Sequence, residues 1–326
     1  MPLSDEEMLD RAVANAAAVR CSTSPNPWVG AVVASPDGRL FDGATEPPGG
    51  RHAEIVALDA AGSAAARGAT VATTLEPCSH HGRTGPCADA LVEAGVVRVV
   101  VGVEDPDPNV AGRGIERLRA AGVEVTLVDH GPTKQQLGPY LHHRRAGRPF
   151  VVLKLAATVD GRTAAPDGTS RWITGPEARA DVHRLRAESD AVLVGAGTVR
   201  ADDPELTVRD ADGDDPRRIV LGHAPTAARI HPCTEVSGDL GDVLDTLGAE
   251  GVVQLLVEGG ATVAGAFHRA GLVDRYVVYL APALLGGDDG VPLLAGAGAP
   301  TMADAWRGRL SAVERLGDDV KLVLEV

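Results

Sequence analysis

The sequence is poor in aromatic side chains, with three Trp, three Tyr and three Phe in 326 residues. Proteins that hold single-stranded nucleic acid stack its bases on such rings along a basic groove. Basic charge is scarce as well: 31 Lys and Arg stand against 45 Asp and Glu, a formal net charge of −14. Both shortages argue against a nucleic-acid-binding surface. Only four cysteines occur, at positions 21, 78, 87 and 233, which is no disulfide framework. No apolar run reaches membrane-spanning length, and the acidic N-terminus M-P-L-S-D-E-E-M-L-D lacks the apolar region of a signal peptide. A cytoplasmic protein that binds neither membrane nor nucleic acid is expected. The G-x-G-x-x-G dinucleotide fingerprint is also missing, since G-A-G-T-V-R (195–200) lacks the third glycine.

What the chain does hold is a set of metal-ligand side chains between residues 49 and 95. G-G-R-H-A-E-I-V-A-L supplies His52 and Glu54, and L-E-P-C-S-H-H-G-R-T-G-P-C supplies Cys78 and Cys87. One imidazole and two thiolates leave the fourth position of a tetrahedral zinc open to water, and a carboxylate beside that water can take its proton. The order H-x-E, then P-C…C, is that of zinc-dependent nucleobase deaminases, whose Glu is not a ligand. Those enzymes use C-x-x-C, whereas eight residues separate the cysteines here.

The local pattern fits such a site. Residues two apart on a regular helix diverge by about 200°, so His52 and Glu54 can face one metal only from an extended or just-starting segment. Gly49-Gly50 followed by I-V-A-L-D-A-A places them at a helix entrance. Cys78 follows the β-rich run T-V-A-T-T-L-E-P, stopped by Pro77. Pro86 suits the first position of a helix ending at Gly95, so Cys87 falls in a first turn whose free amides lower a thiol's pKa. Two alternatives stand beside this reading. Cys78 and Cys87 could be buried thiols or a disulfide with His52 in the core, or His80 or His81 could replace a cysteine ligand.

The length suggests two domains. Residues 4–20 read as a helix with Ser4 and Glu7 as a capping box and Leu9, Ala12, Val13 and Ala16 on one face. S-T-S-P-N-P-W-V-G is a polar turn in which Asn26 either serves the turn or places an amide over a substrate ring. It leads into the strand A-V-V-A-S. Strands at 70–75 and 96–103, then a helix and strand over 109–128, predict a three-layer α/β domain over residues 1–145. The basic, Pro-terminated L-H-H-R-R-A-G-R-P (141–149) reads as the boundary.

A second α/β domain is expected over 150–326. Its strands are F-V-V-L-K-L-A-A-T, A-V-L-V-G, R-R-I-V-L-G, V-V-Q-L-L-V-E-G-G and R-Y-V-V-Y-L-A-P. One helix starts at Pro176 with Ala178, Val182 and Leu185 as its apolar stripe, and another is closed by Gly271. Two glycine turns, Gly195-Ala196-Gly197-Thr198 and Gly259-Gly260, could hold a phosphate on helix-start amides, or simply be tight strand–helix turns. Lys154 and Glu258 place charge in apolar strands, which is costly unless they are paired or functional.

At this point the motifs carry a resemblance over nearly the whole chain. T-S-P-N-P-x-V-G, H-A-E, L-E-P-C-S-H-H-G-R-T-x-P-C and D-P-x-P-x-V-A-G-R-G resemble the riboflavin-biosynthesis pyrimidine deaminase domain, which is cytidine-deaminase-like. L-K-x-A-A-T-V-D-G-R-T, S-R-W-I-T, V-G-A-G-T-V-R-A-D-D-P-x-L-T-V-R, V-E-G-G and A-P-x-L-L-G-G resemble its fused reductase, which has a dihydrofolate-reductase-like α/β fold. The resemblance implies zinc-dependent hydrolytic deamination of 2,5-diamino-6-ribosylamino-4(3H)-pyrimidinone 5′-phosphate, then NADPH reduction of the ribosyl group to ribityl. It implies zinc on His52, Cys78 and Cys87 with Glu54 as catalytic proton carrier. Asn26 and the His80, Arg83 and Thr84 loop would contact ring and phosphate. Ala156, Trp172, Thr174, Thr198, Asp202 and Gly260 would contact NADPH. Ser170, Arg186, Leu206, Arg209 and Glu258 would face the substrate, with Arg186 and Arg209 as phosphate clamps. Lys154 and Asp202 would lie nearest the hydride chemistry, and either could handle a proton. A homo-oligomer is expected.

One stretch departs from the resemblance. Only about thirty residues separate 217–222 from 252–260, where the family has some tens more, and Gly222 replaces the usual Asp. The remnant is expected to rebuild one strand poorly and to weaken the NADPH site, with Arg200 or the Arg217–Arg218 pair as the cations nearby. A deaminase with a weak or inactive reductase domain is therefore the second reading. A zinc-stabilised binding module without activity is the third.

Overall fold

The computed structural model describes residues 3–79, 85–107 and 110–326. The chain divides into two compact units, Met1–Gly147 and Arg148–Val326. The first opens with α1 (Asp5–Ala17). The Ser4 hydroxyl accepts from the Glu7 amide, and the Glu7 carboxylate accepts from the Ser4 amide at 2.8 Å. The helix ends three residues earlier than expected, because the Val19 and Arg20 amides turn back to carbonyls three residues away, those of Ala16 and Ala17.

After α1 come β1 (Gly30–Ala34), β2 (Leu40–Ala44), α2 (Ala53–Ala66), β3 (Thr70–Leu75), α3 (Cys87–Glu93) and β4 (Arg98–Val103). The unit closes with α4 (Arg113–Ala120), β5 (Glu124–Leu127), α5 (Gly131–Gln136) and α6 (Gly138–Ala146). The five strands form one sheet in the order β2-β1-β3-β4-β5, with β1 antiparallel to its neighbours and β3, β4 and β5 parallel. Strand β2 was not anticipated, because L-F-D-G-A carries a charge and a glycine at its centre. Its Asp42 is held by Arg11 and Asn15 of α1.

Glycine lets a helix lie directly on each face of this sheet. A Cβ on Gly30 would sit 1.9 Å from the Ala12 carbonyl oxygen of α1. Gly43 lies opposite Ala31 and so faces the other way, where a Cβ would come 2.2 Å from the Ala53 carbonyl oxygen of α2. The result is three layers. The stretch read as a polar boundary is helical as far as Ala146, with Gly147 closing α6 at a φ of 70°. His143, Arg144 and Arg145 lie in its last turn, where cations meet free carbonyls, so basic composition there marks a helix end.

The second unit runs β6 (Phe150–Thr158), β7 (Arg162–Ala164), α7 (Pro176–Ala187), β8 (Ala191–Gly195), α8 (Ala196–Asp202), β9 (Arg217–Leu221), β10 (Thr234–Val236) and α9 (Leu240–Ala249). Then follow β11 (Gln254–Val257), α10 (Ala261–Arg269), β12 (Arg275–Ala281), β13 (Val291–Pro292), β14 (Arg309–Leu316) and β15 (Asp319–Glu325). An eight-stranded sheet has the order β10-β9-β8-β11-β6-β12-β15-β14, parallel from β10 to β12 and antiparallel through β15 and β14. The apolar residues of β6, β8 and β11 lie on both faces of this sheet in two separate cores, as a central parallel strand requires.

The shortened segment after Gly222 folds better than its length suggests. It makes the edge strand β10 and a full helix α9, capped by Asp239 and packed through Val243, Leu244 and Leu247. Arg217 and Arg218 start β9, at the end of the sheet opposite the two glycine turns, and Arg217 is paired with Glu250.

Candidate active sites

His52 is the N-cap of α2, with φ −74° and ψ 159°, and the helix proper starts at Ala53. That extended cap lets His52 and Glu54 approach one point from the same short segment. Cys78 follows β3 and Pro77, and Cys87 is the first residue of α3, with Pro86 as N-cap rather than first helical residue. His52 Nδ1 lies 3.6 Å from Cys78 Sγ and 3.3 Å from Cys87 Sγ, and the three ligand atoms fall within 4.8 Å of one another. Zinc with bonds of about 2.0 Å to nitrogen and 2.3 Å to sulfur sets tetrahedral ligand atoms some 3.5–3.8 Å apart. The donor set and its spacing fit zinc.

The two thiols are not equivalent. The Cys87 amide donates to Cys78 Sγ at 3.3 Å. A hydrogen bond from the Cys87 thiol, with help from His52, holds Cys78 well below the ordinary thiol range, and the same bond pushes Cys87 up. The first-turn effect expected for Cys87 therefore acts on Cys78, because the free amide of that turn points at the other sulfur. Glu54 is buried, and burial, then the Cys78 thiolate, raise it to about 7.

Asn26 is half-buried in a tight turn ahead of β1, its amide donating to the Thr23 carbonyl at 2.9 Å. His80, Arg83 and Thr84 lie outside the described residues, as does His81. No disulfide joins Cys78 and Cys87.

The second unit gathers its candidates at the carboxyl ends of parallel strands, where open α/β sheets bind ligands. The turns after β8 and β11 meet there. The Gly260 amide donates to Thr198 Oγ1 at 3.2 Å. A Cβ on Gly195 or Gly259 would come 2.7 or 2.6 Å from the Val263 side chain. Space beside Gly197 is open, so a ligand's phosphate could approach that backbone.

Glu258, just past β11, is held by Arg186 of α7 through two bonds of 2.6 and 2.9 Å. Arg186 also donates to the Thr207 carbonyl at 3.1 Å. Lys154 lies on the same face of β6 as half-buried Ala156, with its ammonium 5.9 Å from the centre of the Tyr279 ring. Burial lowers the Lys154 pKa, against the pull of Glu258.

Other candidates lie in the loops. Trp172 is 72% exposed, with the Arg179 guanidinium 4.5 Å from its ring, and Arg179 also donates to the Thr174 carbonyl at 2.7 Å. Ser170 is half-buried. Asp202 ends α8, 4.0 Å from the Arg171 guanidinium. Leu206 is buried with φ 55°, an uncommon backbone state for a bulky residue. Arg209 is exposed and donates to Glu205 and Thr207 Oγ1. Among the described residues, no hydrogen bond or ion pair joins Lys154 to Asp202. Sequence reasoning assigned no role to Tyr279, Asp181, Lys321 or Glu76. For Tyr279, Lys321 and Glu76 the only signal was a polar residue within or just after an apolar run, and for Asp181, in a polar helix, there was none.

Two family models match. The zinc-binding region of cytidine and deoxycytidylate deaminases covers residues 3–103, and the RibD C-terminal domain covers 149–322. The riboflavin biosynthesis protein RibD of Mycobacterium tuberculosis is 43% identical over 98% of this chain and 97% of its own. The chain belongs to the RibD family. The Escherichia coli RibD is 39% identical over 99% of both chains. Acinetobacter baumannii RibD superposes with a TM-score of 0.91 at 38% identity, covering 98% of each chain. A Thermotoga maritima diaminohydroxyphosphoribosylaminopyrimidine deaminase/5-amino-6-(5-phosphoribosylamino)uracil reductase superposes at 0.90 and 31% identity, again over 98% of each. The first unit is thus cytidine-deaminase-like and the second a RibD reductase domain of dihydrofolate-reductase-like fold. The alignment with the mycobacterial RibD runs over 346 positions, more than this chain's 326 residues, so that relative carries residues absent here.

Proposed function

We propose that the two units of this RibD-family enzyme of riboflavin biosynthesis act in sequence on one phosphorylated pyrimidine. The first removes the 2-amino group of 2,5-diamino-6-ribosylamino-4(3H)-pyrimidinone 5′-phosphate. The second reduces the ribosyl group to ribityl with NADPH. The observation that carries the reading is the convergence of His52, Cys78 and Cys87 within 4.8 Å, two residues from a buried carboxylate.

Zinc, when bound, supplies a Lewis acid that brings a water's pKa down towards about 7. Glu54, buried and two residues from His52, is placed to take that water's proton and return it to the departing amine. Asn26 and the loop carrying His80, Arg83 and Thr84 are assigned to ring and phosphate.

NADPH, when bound, supplies the hydride. Ala156, Trp172, Thr174, Thr198, Asp202 and Gly260 are assigned to it, on the support of the open glycine turns and the exposed indole. Ser170, Leu206, Arg209 and Glu258 are assigned to the substrate. Arg209 is the exposed cation of the proposed clamp, while Arg186 holds Glu258 in place. Lys154 carries a proton that burial loosens, whereas Asp202 is drawn towards Arg171, so we assign the proton to Lys154.

Four free cysteines suit a reducing, cytoplasmic setting, and no helix among the described residues is long and apolar enough to cross a membrane. Exposed Leu310 and Val313 on the edge strand β14 support a homo-oligomer. The test is one assay of the diamino-pyrimidinone phosphate, following ammonia and NADPH separately. Ammonia without NADPH, and NADPH oxidation only after deamination, are expected. Ammonia release that survives complete zinc removal would overturn the deaminase assignment.

A further inference from the structure

Glu76 closes the apolar run of β3 and is 3% exposed, yet neither proposed reaction uses it. Its carboxylate accepts four backbone amides. Oε1 takes those of Gly114 at 2.8 Å and Ile115 at 3.1 Å, and Oε2 takes those of Gly112 at 3.0 Å and Asp105 at 3.3 Å. Gly114 and Ile115 belong to the first turn of α4, whose own N-cap, Gly112, offers no side chain. A carboxylate from another element therefore does the work of the cap, and the partial positive charge of a helix start favours it there.

The same contact bears on the metal site. The first turn of α4 lies directly against the residue before Cys78: a Cβ on Gly114 would come 1.9 Å from the Pro77 carbonyl oxygen. On the strand side, the Glu76 amide donates to the Val103 carbonyl at 3.0 Å, where β4 ends. On the far side, the Cys78 carbonyl accepts from Ala88 in α3 at 3.1 Å. The Glu76–Pro77–Cys78 turn is thus fixed by β4, by α4 and by α3. Glu76 supplies the side-chain contact to α4, and Cys78 Sγ, accepting from the Cys87 amide, supplies one to α3.

We propose that Glu76 is the positioning residue for Cys78. By binding the first turn of α4 it seats that helix against Pro77, and so sets where the Cys78 sulfur stands relative to His52 and Cys87. Glu76 touches neither metal nor substrate, and it acts only through the backbone of the turn. The inference rests on the zinc reading of His52, Cys78 and Cys87. Groups that orient metal ligands without touching the metal change affinity by about 10- to 100-fold.

The test compares zinc release to an excess of chelator, at a temperature where every variant is folded, for wild type, Glu76→Gln and Leu9→Ala. Leu9 is fully buried in the core beneath α1, so Leu9→Ala is a destabilised control within the same unit. In Glu76→Gln the amide nitrogen faces backbone N–H groups that it cannot accept from. Its release is expected to speed up by about 10- to 100-fold, with a shifted thiolate-to-metal absorption band in the cobalt-substituted protein. Leu9→Ala should release zinc at the wild-type rate with an unshifted band. Should Glu76→Gln not fold, Gly114→Ala tests the contact from the other side, because its methyl group presses on Pro77 with Glu76 intact. Wild-type release and an unshifted band in the Glu76 or Gly114 variant would overturn the proposal, as would equal loss in Leu9→Ala. A wild type that holds no zinc would instead fail the metal reading on which the proposal rests.

Discussion

Arg186 and Glu258 are joined by two parallel hydrogen bonds, Nε to Oε1 at 2.6 Å and Nη2 to Oε2 at 2.9 Å, with side chains only 12% and 8% exposed. Removing one partner leaves the other as an uncompensated buried charge, at a cost of about 3–5 kcal/mol. Glu258→Gln should therefore lower the denaturation midpoint of the second unit and abolish NADPH oxidation, while ammonia release by the first unit continues. Chemical denaturation followed alongside both activities checks this. A shift below about 1 kcal/mol, the scale of exposed pairs, would mean that water reaches the pair.

Glu54→Gln keeps the shape of the buried side chain but leaves no group to accept a proton. Zinc content should stay at the wild-type level, and NADPH oxidation with the already deaminated intermediate should be unchanged. Deamination should fall by about 10²–10⁴-fold, the usual contribution of a general acid–base group. Activity within threefold of wild type, or about 0.65 kcal/mol in barrier height, would reject Glu54 as proton carrier.

The four cysteines divide cleanly. Cys87→Ser removes a ligand atom from the group of three and should lose zinc and deamination together. Cys21 and Cys233 stand outside that group, so Cys21→Ser and Cys233→Ser should retain about one zinc per chain, the count one three-ligand site implies. Metal analysis of freshly purified variants decides it.

The residues that could be read from the sequence are those whose chemistry is local. His52 and Glu54 were legible because Gly49-Gly50 and the apolar run after them mark a helix start. The strands around 70–75 and 96–103 were legible as runs rich in Val and Thr. Glu76, Tyr279 and Asp181 were not, because their partners lie far along the chain. Glu76 binds amides some thirty to forty residues on, and Asp181 receives Tyr279 and Lys321 from β12 and β15. Strand β2 and the β14–β15 hairpin were missed for another reason. β2 and β14 are edge strands and β15 lies beside one, all with half-exposed faces, so their apolar pattern is weak. The two units divide within 141–149, but that the segment is helical as far as Ala146 was not legible, because a basic helix end and a polar linker share one composition.

Asp181 should give the second unit a distinct acid sensitivity. Burial pushes its carboxyl up, but hydrogen bonds from Tyr279 at 2.6 Å, Lys321 at 2.9 Å and Arg184 at 2.6 Å outweigh that and hold it below the usual range. A carboxyl whose folded pKa lies below its unfolded value of about 3.9 stabilises the fold at every pH above that value. The contribution is lost as pH falls through the folded pKa. The thermal stability of the second unit should therefore fall below about pH 4. Asp181→Asn should be less stable at neutral pH and flatter in that acid range. A variant as acid-sensitive as wild type would assign the effect to other carboxyls.

The last prediction concerns which dinucleotide the reductase prefers. A dinucleotide lies across the carboxyl ends of the parallel strands, so Arg217 and Arg218, at the opposite end of β9, cannot reach a 2′-phosphate there. The corner formed by β9 and β10 instead presents Glu235, whose carboxylate accepts from His223 Nδ1 at 2.7 Å and from the Ala224 amide at 2.9 Å. Hydrogen bonds from His223 and Ala224 hold that carboxyl below its ordinary range, so it stays charged at neutral pH. A fixed anion suits a ribose hydroxyl and repels a phosphate, and the nearby imidazole is already engaged. Of Arg200, Arg217 and Arg218, exposed Arg200 in the last turn of α8 is the one on this side of the sheet. Loss of one charge-assisted phosphate contact, about 1.5–3 kcal/mol, weakens binding by roughly 10- to 150-fold. NADPH is accordingly expected to bind weakly and to be only slightly preferred over NADH, and Glu235→Gln should improve NADPH binding while leaving NADH unchanged. Calorimetric titration of both nucleotides into wild type and variant decides the matter. Micromolar NADPH affinity with strong selectivity in the wild type would show that the shortened segment has rebuilt a phosphate site.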